Sequence, residues 1–263
     1  MEAIRVERSD GLVTITLDRP AKKNAVDAQM WNELDRAFAE IAVDPNDRAL
    51  ILTGAGGNFS AGADLSGGTK GQGLTGRPLQ PIVQEMRIVG EILMRLQRLP
   101  KPTLAKVDGV CVGVSLGLAL ACDLVLASDR ARFSEIFAKR GLALDGGNSW
   151  LLPRRIGLHK AKELTFFADV IDAKEAESIG LVNRVVPAGE LDAVAEQWGR
   201  RLASGPTLAL GLSKRMLDAS ATATFEQALE EEARCQHITY TSKDMREGIA
   251  AFIERREPRF IGS

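Results

Sequence analysis

Apolar and polar residues alternate over Leu12–Leu17, with Val13, Ile15 and Leu17 on one face and Thr14 and Thr16 on the other. That period of two predicts a strand. Asp27 then stands as an N-cap ahead of Met30, Leu34, Phe38 and Ile41, which share one helical stripe. Residues 49–53 (Ala-Leu-Ile-Leu-Thr) lead without a break to Gly54, the pattern of a strand buried on both faces. From residue 66 to 81 glycine accumulates and periodicity is lost, which predicts a mobile loop. Helical spacing returns over residues 82–96 through Met86, Val89, Leu93 and Leu96. Residues 104–107 and 124–127 read as short strands, with a helix from about Gly113 between them. Strand–helix alternation of this kind predicts an α/β core with largely parallel pairing.

After Pro187 the strands stop. Leu191, Val194, Trp198 and Leu202 mark one helix, residues 208–217 a second, and the chain from Phe225 a long third. The expected division is an α/β core over residues 1–203, carrying the site, and a helical region over residues 204–263, joined at Gly205-Pro206. The last helices are amphipathic with few partners of their own. They are expected to dock on a neighbouring subunit or, alternatively, to cap their own core.

Composition narrows the function classes. With 34 basic and 35 acidic residues in 263, the net charge of −1 gives no bulk attraction to nucleic acid or membrane. A chain of this length buries about three quarters of its unfolded surface. Cys111, Cys122 and Cys235 are too few and too scattered for a disulfide framework, which fits a reducing, cytoplasmic setting. The first residues lack an apolar signal core, and the longest apolar stretch, 110–121, is too short and too rich in Gly and Ser to span a bilayer. His159 and His237 have no acidic or cysteine partner near them in sequence, so both read as structural, and no metal site is expected.

Two small-residue turns carry the candidate chemistry. One is Phe59-Ser60-Ala61-Gly62-Ala63-Asp64-Leu65, the other Asp108-Gly109-Val110-Cys111-Val112-Gly113-Val114-Ser115-Leu116-Gly117. Each follows an apolar run. A strand passing through small residues into a helix leaves unpaired N–H groups at the helix start. Two such turns face to face would hold one anionic oxygen without a charged side chain, as an oxyanion hole does.

In order along the chain, Leu17-Asp18-Arg19-Pro20 with Asn24-Ala25, the first turn, Ala121-Cys122-Asp123-Leu124, Trp150-Leu151-Leu152-Pro153-Arg154, Gly180-Leu181-Val182 and Ala251-Phe252-Ile253-Glu254-Arg255-Arg256-Glu257-Pro258 resemble the crotonase, or enoyl-CoA hydratase/isomerase, superfamily. The resemblance covers nearly the whole chain. It implies an α/β spiral of β-β-α turns with an all-helical C-terminal region that builds trimers, often paired into hexamers. It also implies a coenzyme A thioester as substrate, with no separate cofactor. The thioester oxygen would accept hydrogen bonds from the N–H groups of Ala63 and, by position, Val114. Removing one such donor elsewhere costs about 3–4 kcal/mol of transition-state stabilisation. Lys23, Ala25, Ala61, Asp64, Leu65 and Phe137 are the expected substrate- and coenzyme-binding positions. Of these, Lys23 (with Lys22) is expected either to meet the phosphates or adenine edge or to be a solvated surface lysine, and Asp64 also reads as a structural residue of its turn. Met86, Val89 and Leu93 are expected either to line the acyl pocket or to join the core, and the 66–81 loop to cover the acyl end.

The chain departs from the hydratases of that superfamily. Their two water-activating glutamates fall here on Gly117 and, counting from Gly141, on Phe137. Glu135 lies two residues off, about 7 Å in an extended segment, and reads as a surface or interface carboxylate. Asp145, in Gly141-Leu142-Ala143-Leu144-Asp145-Gly146-Gly147, is the better base: apolar neighbours would desolvate it and raise its pKa, and the glycines let substrate approach. The segment most resembles the phenylacetyl-CoA epoxide isomerases. Asp145 as a turn former or helix cap is the structural alternative. Three readings follow: an isomerase working through Asp145, a hydratase using Glu135 or Asp145, and an acyl-CoA-binding module without turnover.

Overall fold

The computed structural model describes residues 2–65 and 81–263. In chain order the elements are β1 (Ile4–Ser9), β2 (Leu12–Leu17), α1 (Ala28–Val43), β3 (Ala49–Gly54), α2 (Ile82–Gln97), β4 (Thr103–Val107), β5 (Val110–Val112), α3 (Val114–Leu120), β6 (Leu124–Ser128) and β7 (Arg132–Ser134). There follow α4 (Asn148–Phe167), β8 (Ile171–Asp172), α5 (Ala173–Ser178), β9 (Arg184–Val186), α6 (Leu191–Ala203), α7 (Thr207–Ser220), α8 (Phe225–Tyr240) and α9 (Lys243–Glu254). The larger sheet has strand order β1-β2-β3-β4-β6-β9. Every pairing in it is parallel except β1 with β2. A smaller sheet has strand order β5-β7-β8.

Alternation along β2 and β3 works on both faces. Val13, Ile15, Leu17, Leu50 and Leu52 point into one apolar cluster with Met30, Leu34, Phe38 and Ile41 of α1. Leu12, Ala49 and Ile51 point into another with Leu191 and Ala195 of α6. The α1 stripe is fully buried, and Asp27 caps the helix by accepting from Met30 N–H at 2.9 Å.

One expectation needs correction. The long helix from Phe225 is two helices, because Ser242 caps α9 by accepting from Met245 N–H at 3.0 Å and so starts a new helix after Tyr240. The helix start expected after the first turn and the loop predicted over 66–81 fall on residues 66–80, outside the described residues. Strands β5, β7, β8 and β9 escaped the sequence reading because two or three residues carry no readable period.

Candidate active site

The two small-residue turns lie side by side. Ser60 bridges Cys111 in parallel, with Ser60 N–H donating to Val110 O at 2.9 Å and Val112 N–H to Ser60 O at 3.3 Å. The Ser115 hydroxyl reaches both turns, 2.8 Å from Ser60 O and 2.8 Å from Val112 O, and accepts from Val112 N–H at 3.1 Å. Gly62 has φ +88°, and a Cβ there would meet Val112 O at 2.9 Å, so only glycine lets the turns approach this closely. Ala63 bridges Val26 through its neighbours: Val26 N–H donates to Gly62 O and Asp64 N–H to Val26 O. Val114 opens α3 after Gly113, whose N–H donates to Ser134 O at 3.0 Å. Neither the Ala63 nor the Val114 N–H has an acceptor among the described residues. Both are therefore available to one oxygen placed between the turns.

Gly117 explains why the hydratase carboxylate is missing. A Cβ on Gly117 would lie 2.1 Å from Gly146 O, and a Cβ on Gly146 would lie 3.2 Å from Val114 Cα. The 145–147 loop thus rests directly on Val114 and Gly117, and this packing brings Asp145 beside the second turn. Burial pushes the Asp145 carboxyl up to about 6. Its Oδ1 is buried without a partner among the described residues. The Asp145 side chain does not cap α4, whose N-cap is Gly147; its backbone oxygen accepts from Asn148 N–H at 3.1 Å.

Glu135 is not a surface carboxylate. It is fully buried, at 0% exposure, and neither oxygen has a hydrogen-bond partner among the described residues. Burial and the charge of Asp145 push it up to about 8. The reason is non-local: β7 pairs with β5 deep in the spiral, and the 3-10 turn Ile136–Arg140 folds back rather than running on extended. Its neighbours Phe133, Ile136 and Phe137 in sequence were the available signal. Asn148 completes the cluster, donating from Nδ2 to Gly113 O at 3.2 Å and leaving its own buried Oδ1 unpartnered among the described residues.

The other predicted positions divide. Phe137 is buried against the second turn, its ring tip 3.8 Å from where a Gly113 Cβ would be. Lys23 is exposed and its backbone oxygen accepts from Ala61 N–H at 2.9 Å, tying its segment to the first turn. Ala25 is buried and accepts from Arg19 Nη1 through its backbone oxygen. Asp64 pairs with Arg19 at 2.9 Å, which favours its structural reading. Leu65 is exposed, at the edge of the described chain. Sequence reasoning missed Arg19, which also meets Asp27 at 3.2 Å and so binds the first turn to the start of α1. Val89 and Leu93 belong to the core and Met86 packs against it. Leu93 also lines a cavity of about 1030 Å³ between α2, α7 and the start of α4, with Gly146 and Gly147 in its lining. His159 and His237 are exposed. Among the described residues no group of three His, Cys, Asp or Glu could hold a metal ion, and no helix is long and apolar enough to cross a membrane.

Two backbone donors without acceptors among the described residues, on adjoining turns of an α/β fold with the 145–147 loop packed on the second, form an arrangement suited to an oxyanion. The family pattern described as enoyl-CoA hydratase/isomerase matches residues 7–263. The 1,2-epoxyphenylacetyl-CoA isomerase of Escherichia coli is 36% identical over 262 residues, covering 100% of this chain and 99% of the relative. The short-chain-enoyl-CoA hydratase of Clostridium acetobutylicum is 33% identical over 254 residues, covering 96% and 95%. The solved enoyl-CoA hydratase of Bacillus anthracis superposes with a TM-score of 0.92 at 29% identity, covering 99% of this chain and 100% of that one. The chain belongs to the enoyl-CoA hydratase/isomerase family and has the crotonase fold.

Proposed function

We propose that this enzyme is an acyl-CoA isomerase. Asp145, as carboxylate, takes a proton from the carbon next to the thioester carbonyl. The C–H electron pair moves into the carbonyl, and the resulting enolate oxygen is held by the N–H groups of Ala63 and Val114. The protonated Asp145 returns the same proton to a carbon further along the chain, and the double bond migrates with no net gain or loss of atoms. An epoxide in place of the alkene is the variant suggested by the Escherichia coli relative's name. The carrying observation is Asp145 itself: raised to about 6 by burial, it is mostly the base at neutral pH yet readily reprotonated. Coenzyme A enters as part of the substrate, along the Lys23, Ala25, Ala61 and Leu65 side, and no other cofactor is invoked. We further propose a cytoplasmic homo-oligomer, trimer or hexamer, with no nucleic-acid or membrane partner.

Asp145→Asn should lower turnover at least about a hundredfold, the scale of lost acid–base catalysis. Mass spectrometry of products from a panel of CoA thioesters, including 3-enoyl and epoxide forms, reads both the substrate and the loss. Near-normal turnover by the variant would sink the assignment. Hydration is the second reading, favoured by the buried Glu135 near Asp145, since two carboxylates can orient and activate water. Loss of enoyl absorbance on a crotonyl-type thioester separates it from isomerisation. Tight binding of every thioester with turnover of none would leave only the idle module.

A further inference from the structure

Glu135 and the 145–148 loop carry four buried oxygens without a hydrogen-bond partner among the described residues, Glu135 Oε1 and Oε2, Asp145 Oδ1 and Asn148 Oδ1. The two segments meet at Gly113, whose N–H donates to Ser134 O at 3.0 Å and whose oxygen accepts from Asn148 Nδ2 at 3.2 Å. All are acceptors when the carboxyls are ionised, and Asn148 has already committed an amide N–H to Gly113 O. Buried acceptors with no donor are costly, and the simplest donor available to this set is a proton on one of the carboxyls. Asp145 keeps an accessible side while its Oδ1 is buried, whereas Glu135 has no exposure at all. Glu135 therefore presents no exposed atom to a substrate in this conformation, and the hydration reading would need it to move.

We propose that Glu135 and Asp145 form a proton-sharing pair, in which neutral Glu135 donates toward the buried Oδ1 of Asp145 and so turns the other Asp145 oxygen to the oxyanion turns. Glu135 is on this view a positioning residue, and the inference rests on Asp145 being the base. The surroundings favour a neutral Glu135. The titratable groups facing it are Asp145 and the thiol of Cys111, itself pushed well up by burial. The cations on its own 3-10 turn, Lys139 and Arg140, are exposed, and Lys139 pairs with Asp169 at 3.4 Å. With Asp145 near 6 and Glu135 near 8, the pair holds one proton between those values.

The test compares Glu135→Gln, which keeps shape and a donor, with Glu135→Leu, which removes the donor. The wild type should show a bell-shaped kcat/KM profile, rising near 6 and falling near 8. Glu135→Gln should stay within about tenfold of wild type at neutral pH and lose the alkaline fall, because an amide does not ionise. Glu135→Leu should lose at least about tenfold in kcat with little change in KM. Infrared spectra give a readout that needs no activity: a protonated carboxylic acid band at neutral pH, missing in Glu135→Gln. An alkaline fall that persists in Glu135→Gln, wild-type kcat in Glu135→Leu, or no carboxylic acid band would each overturn the pair. If Asp145→Asn is itself inactive when this happens, the pair fails and the Asp145 assignment stands; if Asp145→Asn is active, both fail.

Discussion

At the scale of single residues, Gly117 decides more than its lack of a side chain suggests. A hydratase glutamate at this position would drive its Cβ to 2.1 Å from Gly146 O. Gly117→Glu should therefore not create a hydratase. It should lift the 145–147 loop from Val114 and abolish whatever turnover the enzyme has, with no gain in loss of enoyl absorbance; a gain would show that the loop can move aside. Burial of Glu135 makes a separate prediction about stability. Its folded pKa, about 8, lies above its ordinary value of 4.5, so its favourable contribution is full below about 4.5 and is lost as pH rises through 8. Glu135→Gln, always neutral, should melt higher than wild type, with the gap widening from pH 5 to pH 8; each kcal/mol is worth about 2–4 °C in a chain of this size. A constant gap in calorimetry would contradict it. Asp145 was legible in the sequence because its apolar neighbours and following glycines are local signals. Glu135 was not, because its burial comes from β5 and the 145–147 loop, neither of which is its neighbour in sequence.

At the scale of elements, the site depends on how two turns from different layers are held together. Ser115, fully buried, is the shared contact between Ser60 O and Val112 O. Ser115→Ala should cost about 1–3 kcal/mol, because one buried carbonyl oxygen loses its hydroxyl donor and Val112 N–H loses the hydroxyl as an acceptor. It should also lower kcat more than it raises KM, since the spacing of the Ala63 and Val114 N–H groups matters most when charge develops on the oxygen. A variant that melts lower but keeps wild-type kcat would show that the clamp is purely structural. Elements whose signals are local were readable: Asp27 with its α1 stripe, the β2 alternation, and the buried run of β3. The short strands of the second sheet were not, because pairing with a distant partner, and not a pattern of their own, makes them strands.

At the scale of the whole molecule, the helical region leaves a large apolar surface uncovered. Phe225 is 80% exposed, Tyr240 68%, Phe252 85% and Ile253 73%, and Phe166 and Phe167 at the end of α4 are exposed as well. Scattered exposed apolar residues are ordinary, but large aromatic side chains concentrated on α8 and α9 are the mark of an interface. α7 is anchored to the core by Lys214, 3.0 Å from Asp123, and by Gly211, which packs on Pro100 O. In the proposed homo-oligomer, α8 and α9 would meet other copies of the chain. Light scattering at micromolar concentration should report an oligomer, trimer or hexamer. Phe252→Glu combined with Ile253→Glu should shift the mass toward the monomer, because each buried carboxylate would lose its hydration without gaining a partner. Circular dichroism should stay unchanged, since both side chains face outward in the single chain. A wild-type protein that is monomeric at that concentration would mean that these aromatic residues serve another partner, and that the site between the two turns works complete within one chain.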